Sequence, residues 1–246
     1  MNLYKEVAEL IKISNYTIAF TGAGISVESG IPPFRGSQGL WSKYDPEEFA
    51  HIESFLKNPA KVWKMLREMF EIVLRAKPNV SHKALAEMEK LGYLKTLITQ
   101  NIDGLHQSAG NKNVIEFHGN CKWLLCLDCG KKEAVKKELI ETLPYPVCSK
   151  CKSPLKPDVI FFGEPIPFEV RKKAEGEAKK CDVILVIGTS GVVFPAAEIP
   201  YLAKLNNARI VEINFEETPY TQSITDYFLK GKASETLSKI FHYISS

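Results

Sequence analysis

Residues 21–36, TGAGISVESGIPPFRG, decide how the rest of the chain is read. They follow residues 16–20, an apolar run rich in β-branched and aromatic side chains that reads as a buried first strand. Gly22 and Gly24 let backbone N–H groups turn inward and approach a diphosphate, as a nucleotide loop at a strand end must. The spacing is not the dehydrogenase fingerprint, because the third glycine would fall at position 27, which is Val27. Instead come a small hydroxyl, Ser26, and a proline-stiffened segment carrying Phe34 and Arg35. A ring and a guanidinium beside a phosphate loop suit a dinucleotide that is bound and cut, not one that only lends a hydride.

At 246 residues the chain has room for one large α/β domain with an inserted module. Its 45% hydrophobic and 25% charged residues are an ordinary globular balance. A net charge of +3 is too small to argue for nucleic acid and reads as a solvated mixed surface. The first fifteen residues mix acidic and basic side chains without an apolar core segment, so they read as an amphipathic helix and not a signal peptide. No apolar run approaches the roughly 20 residues that span a bilayer. These features predict a cytoplasmic protein whose thiols stay reduced, with no membrane partner.

Strands are expected at 16–20, 95–99, 114–117, 159–161, 182–187 and Arg209–Asn214, several of them near-continuous apolar runs of the kind found in parallel sheets covered on both faces. Helical periodicity falls at 81–91 with Ser81 as N-cap, at Phe168–Lys180, and at 195–205 and 233–243. The alternation predicts a Rossmann-like, doubly wound parallel sheet in an α/β fold. Two stretches break the rhythm: a pair of helical segments over 45–77 and a cysteine- and lysine-rich insertion over 121–157. We therefore expect a large lobe from about 1–37, 81–120 and 158–246, and a small lobe from the helical insertion 38–80 and the module 121–157.

Cys126-x-x-Cys129 and Cys148-x-x-Cys151 have the spacing of a four-thiolate zinc site. Two disulfides or a redox pair are the alternatives, and paired knuckles in a reducing compartment favour zinc. Four protein ligands leave no position for water, so such a metal is structural. Cys121 and Cys181 read as small buried residues.

Residues 99–103, TQNID, directly follow a strand and so stand where parallel sheets hold ligands. Asp103 can accept from a carboxamide and Asn101 can hold a ribose hydroxyl or a water; an Asx-type turn capping the helix around Leu105 explains the same residues equally well. His118, at a strand end and next to Gly119, has the place of a general base, although a lone histidine is more often a structural hydrogen-bonder. His51, His82, His106 and His242 fall on helical segments and have weaker claims. Gly188, Thr189 and Ser190 close another strand as a second small-residue loop, and Asn214 ends the last one, placed for a remote sugar. Residues 159–164, VIFFGE, are either core or an edge to which an extended peptide adds as a strand.

The ordered set GAGIS, GIP, FRG, TQNID, HGN, the two CxxC pairs, FFGE and GTS runs across nearly the whole chain and resembles the sirtuins, specifically their short single-domain prokaryotic type. Sirtuins are NAD-dependent protein lysine deacylases, and the resemblance implies that activity, with NAD as co-substrate and one structural Zn2+. It implies an NAD site of Ala23, Ser26, Phe34, Arg35, Gln100, Asn101, Ile102 and Asp103, with Asp103 and the Ile102 backbone near nicotinamide. Gly188, Thr189, Ser190, Asn214, Phe215, Glu216 and Ala233 would hold the adenosine half. His118 would be the base, with Asn101 and Asp103 completing the catalytic set. Ile160, Phe161, Phe162, Val192 and Val193 would flank an extended acyl-lysine peptide. Partners implied are acylated lysines in proteins, chromatin and metabolic enzymes among them, with no direct nucleic-acid signal.

The chain departs from the family pattern in three places. Pro33 replaces the usual polar residue before the FRG phenylalanine and removes a backbone N–H. Gly191 stands where a larger residue commonly follows GTS, which predicts a looser peptide cleft. Leu66 and Met69 occupy the positions of the Tyr-x-x-Arg of succinyl- and malonyl-removing members. An apolar pair leaves an acyl carboxylate without a partner, so uncharged acyl groups are expected, and Arg67, one position off, should point elsewhere. Two rivals use the same residues: ADP-ribosyl transfer or NAD hydrolysis in the same pocket, and a non-enzymatic nucleotide-sensing or nucleic-acid-binding module built on the knuckles and the lysines of 131–137.

Overall fold

The computed structural model describes residues 2–33 and 39–245. Its strands are β1 Thr17–Thr21, β2 Leu94–Thr99, β3 Val114–Glu116, β4 Gly119–Cys126, β5 Lys132–Ala134, β6 Leu155–Val159, β7 Val183–Ile187, β8 Arg209–Asn214 and β9 Tyr227–Lys230. Six form one sheet in the order β3-β2-β1-β7-β8-β9, and every neighbouring pair is parallel. β4, β5 and β6 form a separate antiparallel sheet.

The parallel sheet exists because its central strands carry apolar side chains on both faces. Every residue of β1 and β7 is buried. Ala19 and Leu185 point into one core with Val7 and Ile11 of helix Leu3–Ile13, Leu85 and Met88 of Val80–Lys90, and Leu237 and Ile240 of Ala233–Ser245. Their neighbours Ile18, Phe20, Ile184 and Val186 point into the other core, against Ala174 and Ala178 of Phe168–Lys180 and Ile199 and Ala203 of Glu198–Leu205. Alternation with period two thus feeds two apolar layers, the pattern of a doubly wound fold.

A third core belongs to neither layer. Phe55, Val62, Trp63, Leu66 and Phe70 from the helical insertion pack with Leu124, Cys126, Ile140, Cys148 and Leu155 of the cysteine-rich module. Trp63 is fully buried, and its indole N–H donates to the Leu155 carbonyl at 2.8 Å.

Several boundaries differ from the sequence reading. Of 159–161 only Val159 is in a strand, and that strand belongs to the antiparallel sheet; Ile160 and Phe161 are extended chain, tied by Ile160 N–H to the His118 carbonyl at 2.9 Å. The cap of the helix at 80 is Asn79, not Ser81: its side-chain oxygen accepts from Ser81 N at 2.9 Å while its amide holds the Ile25 carbonyl. The segment 45–77 contains three helices, Pro46–Phe49, Ile52–Lys57 and Pro59–Arg75, because Pro46 and Pro59 each open a new one behind an Asx cap. The regular helix expected from 195 begins at Glu198. β9 goes unpredicted because its four edge residues, of which only Leu229 is buried, carry little periodicity.

At the carboxyl ends of β1 and β7 the chain order reverses, and the two loops touch: Gly24 N–H donates to the Gly188 carbonyl at 2.8 Å. A Cβ on Gly24 would sit 2.7 Å from Gly188 Cα, backbone that cannot swing aside. Gly24→Ala should therefore lose about 1–3 kcal/mol of stability by overpacking, read from urea unfolding.

Candidate active site

The topology puts a ligand crevice where the strand order reverses, outside the carboxyl ends of β1 and β7. A cleft of about 690 Å³ lies there, lined by residues from nearly every loop at that end of the sheet. Gly22, Ala23 and Gly24 form its floor with Gln100, Asn101, Ile102 and His118 from the ends of β2 and β3; Gly188, Thr189, Ser190 and Asn214 form a second side, and Ile160, Phe161, Phe162 and Val193 a third. A smaller adjoining recess is lined by Ala23, Ser26, Ile31, Met69, Asn101 and Asp103.

Side-chain amides stitch the strand ends together. Asn101 Nδ2 donates to the Gly22 carbonyl at 3.0 Å and to Ser26 Oγ at 3.2 Å. Gln100 Nε2 reaches Thr189 Oγ1 at 2.9 Å, and Asn214 Nδ2 reaches the Thr189 carbonyl at 2.9 Å. Asp103 serves the turn as well as the recess: Oδ1 accepts from Leu105 N at 2.9 Å, capping the next helix, and Oδ2 accepts from Ser26 Oγ at 2.7 Å. Burial holds its pKa above the usual carboxylate value in spite of both bonds.

His118 links the floor to the third side, its ring lying against the Gln100 carbonyl and its own carbonyl accepting from Ile160 N–H at 2.9 Å. Its Nδ1 lies 3.2 Å from the Gln100 carbonyl, an atom that only accepts, so Nδ1 carries the proton and Nε2 keeps its lone pair. Burial lowers its pKa below 6.5, which leaves the imidazole neutral at physiological pH. The cleft thus holds a neutral imidazole whose tautomer is fixed and whose Nε2 is free to accept a proton.

The Sir2 family pattern matches residues 22–195, which takes in the loop after β1, TQNID, His118 and both cysteine pairs. The chain belongs to the Sir2 family. It is 48% identical over 243 residues to the NAD-dependent protein deacylase of Pyrococcus abyssi (strain GE5 / Orsay), covering 97% of both chains. A mutant Sir2 homologue solved with 2′-O-acetyl ADP-ribose is 46% identical, with TM-score 0.92 over 98% of this chain and 96% of that one. A Sir2 protein solved with a p53 peptide and NAD+ is 36% identical, with TM-score 0.88 over 98% of each chain.

Most residues that the sirtuin resemblance names line the cleft or its recess, including Phe215 and Glu216. Two do not. Ala233 opens the last helix and is buried in the core, and Val192 is exposed outside the lining. Phe34 and Arg35 lie outside the described residues. Gly191 has a reason other than a loose cleft: its φ is +69°, and a Cβ would meet the buried Tyr220 ring at 2.8 Å. Leu66 and Met69 line the cleft together with Met65, whereas Arg67 turns away and donates to the carbonyls of Ile140, Thr142 and Pro144.

Some of the site's supports carry little signal in the sequence. Lys156, 2% exposed, donates to Glu164 at 2.8 Å and to the Val159 carbonyl at 2.6 Å, while Glu164 accepts from Phe161 N at 2.7 Å. This ion pair pins the extended residues 160–164, and a lysine between Leu155 and Pro157 was its only signal. His82 and His106 are both buried with ring centroids 4.8 Å apart, and burial pushes His82 down to about 4.

The four cysteines converge as the spacing requires. Their sulfurs all lie within 4.8 Å of one another, with Cys126–Cys151 at 3.3 Å and Cys129–Cys148 at 3.6 Å. A zinc tetrahedron with bonds of about 2.3 Å has sulfur–sulfur edges of about 3.8 Å, so the set fits Zn2+. None of the four lines the cleft, as a closed structural site requires. Lys131, Lys132 and Lys137 beside it each have a carboxylate within 4.0 Å.

Cys148→Ser should release close to one zinc per chain, measured by inductively coupled plasma mass spectrometry, and lower Tm, because Cys148 is buried in the core that joins module to helices. If His118 is the base, kcat/KM falls as it gains a proton; its lowered pKa places that acid limb below pH 6.5. A limb above 6.5 would contradict the burial argument.

Proposed function

We propose that this protein is an NAD-dependent protein-lysine deacylase that moves uncharged acyl groups from lysine to the ribose of ADP-ribose and releases nicotinamide. The observation that carries this reading is His118: a base of fixed tautomer opening on the same cleft as the Gly22–Gly24 floor and the extended residues Ile160 to Phe162. Membership of the Sir2 family and likeness to a structure holding 2′-O-acetyl ADP-ribose support it.

In this reading the loop of Gly22, Ala23 and Gly24 faces the diphosphate, although the Gly22 and Gly24 N–H groups expected to reach it are spent on the Ile187 and Gly188 carbonyls. Ala23, Ser26, Gln100, Asn101, Ile102 and Asp103, with Phe34 and Arg35, surround the nicotinamide riboside. Gly188, Thr189, Ser190, Asn214, Phe215 and Glu216 hold the adenosine half, and Ala233 supports that wall from the core. Ile160, Phe161, Phe162 and Val193 receive the acyl-lysine segment, with Val192 outside the lining. The acyl amide oxygen displaces nicotinamide from C1′. His118 Nε2 takes a proton from the ribose hydroxyls, so the 2′-oxygen attacks the acyl carbon. Water then releases free lysine and 2′-O-acyl-ADP-ribose. Phe34 would shield C1′ from water until that last step.

Met65, Leu66 and Met69 support the preference for uncharged acyl groups, since a carboxylate among them would be buried unpaired. The core shared by the helical insertion and the zinc module supports the division into a large lobe (1–37, 81–120, 158–246) and a small one (38–80, 121–157). Among the described residues no helix is long and apolar enough to cross a membrane. Four cysteines kept as thiols for a metal fit the cytoplasm. Acylated lysines of proteins are the proposed partners.

Mass spectrometry of the protein with NAD and an acetyl-lysine peptide should yield acetyl-ADP-ribose, with turnover reduced about 10²–10⁴-fold in His118→Ala. A succinyl peptide should react at least about tenfold more slowly. Nicotinamide released without acyl-ADP-ribose would instead assign the cleft to NAD hydrolysis or ADP-ribosyl transfer.

A further inference from the structure

Glu212 lies in β8 between Val186 and Phe228, is 1% exposed, and has no cationic partner among the described residues. An unpaired buried carboxylate is costly, yet this one accepts three short hydrogen bonds, all from threonine hydroxyls of one segment. Thr218 Oγ1 donates to Oε1 at 2.6 Å, and Thr221 Oγ1 and Thr225 Oγ1 donate to Oε2 at 2.7 Å each. Two of these hydroxyls are already acceptors. Thr218 Oγ1 takes Tyr220 N–H at 3.1 Å as N-cap of helix Pro219–Ser223, and Thr221 Oγ1 takes Thr218 N–H at 2.9 Å. Each hydroxyl has one proton to give, and the two oxygens of Glu212 together accept all three.

The segment so anchored forms a wall of the cleft, through Phe215, Glu216, Glu217, Thr218 and Pro219. It leaves β8 at Asn214, two residues beyond Glu212, and its far end, Thr225, returns to the same carboxylate. Tyr220 locks it from behind, its hydroxyl donating to the Ala197 carbonyl at 3.0 Å and its ring filling the space that Gly191 leaves.

We infer that Glu212 is a positioning residue for NAD: its carboxylate clamps residues 214–225 as the wall that receives the adenosine half. The inference rests on the reading of the cleft as the NAD site. Its selectivity follows from place, because the clamp touches no residue of the side formed by Ile160 to Phe162.

Steady-state kinetics with NAD and acetyl peptide varied separately, and ADP-ribose affinity by calorimetry, test it in Glu212→Gln, Thr225→Val and Thr225→Ser. Gln puts an N–H₂ donor where an acceptor is required, so the NAD KM should rise about fivefold, with ADP-ribose affinity falling in parallel and the peptide KM unchanged. Thr225→Val, which removes one hydroxyl away from the cleft lining, should raise the NAD KM less, and Thr225→Ser should restore it. Where Glu212→Gln does not fold, the Thr225 pair alone decides. An unchanged NAD KM at lowered Tm, or NAD and peptide KM rising together, overturns the inference. Wild-type protein that binds no ADP-ribose would instead overturn the reading of the cleft.

Discussion

The structure depends on one close approach, that of the β1 loop to the β7 loop at the point where the sheet reverses direction. Gly22 N–H donates to the Ile187 carbonyl at 3.0 Å and Gly24 N–H to the Gly188 carbonyl at 2.8 Å. No side chain fits between them. The carboxyl ends of β2 and β8 are then drawn onto this contact by three amides, those of Gln100, Asn101 and Asn214. Residues whose types suit them to touch substrate are thus also the ones that hold the floor in shape. Rigidity here lets a cleft built from loops present its polar groups at fixed distances.

The opposite wall has a separate origin. The helical insertion and the cysteine-rich module share one core, and β6 of that module runs directly into Ile160 to Phe162. A metal held by the four cysteines therefore acts at a distance. It stabilises the module, the module carries β6, and the buried Lys156–Glu164 pair fixes the chain beyond it. A buried ion pair is weak evidence for stability. Its value here is positional, since Glu164 accepts from Phe161 N and so sets the course of the backbone beside the cleft.

What was legible in the sequence follows from which signals are local. The near-continuous apolar runs of β1, β7 and β8 identify buried parallel strands, and the cysteine spacing identifies a metal site, because each constraint acts within a few residues. Asp103 carried two readings, and its turn role is visible in the bond from Leu105 N. Non-local support was opaque. Nothing near Gly191 announces that Tyr220 fills its place, and nothing near Glu212 announces three threonines, although a charge inside the apolar run of β8 was a hint. Residues 159–161 were misassigned because an apolar run reports burial and not the sheet to which a strand belongs.

The central claim is that the cleft delivers the acyl group to ADP-ribose while keeping water from C1′. Turnover of an acetyl-lysine peptide in H₂18O, with the label located by tandem mass spectrometry, tests it directly. Attack by the amide oxygen at C1′, with water entering only afterwards, predicts 18O in the acetyl group of the acetyl-ADP-ribose. Label at C1′ of free ADP-ribose, with the peptide still acetylated, would mean that water reaches the ribose first and would contradict the account.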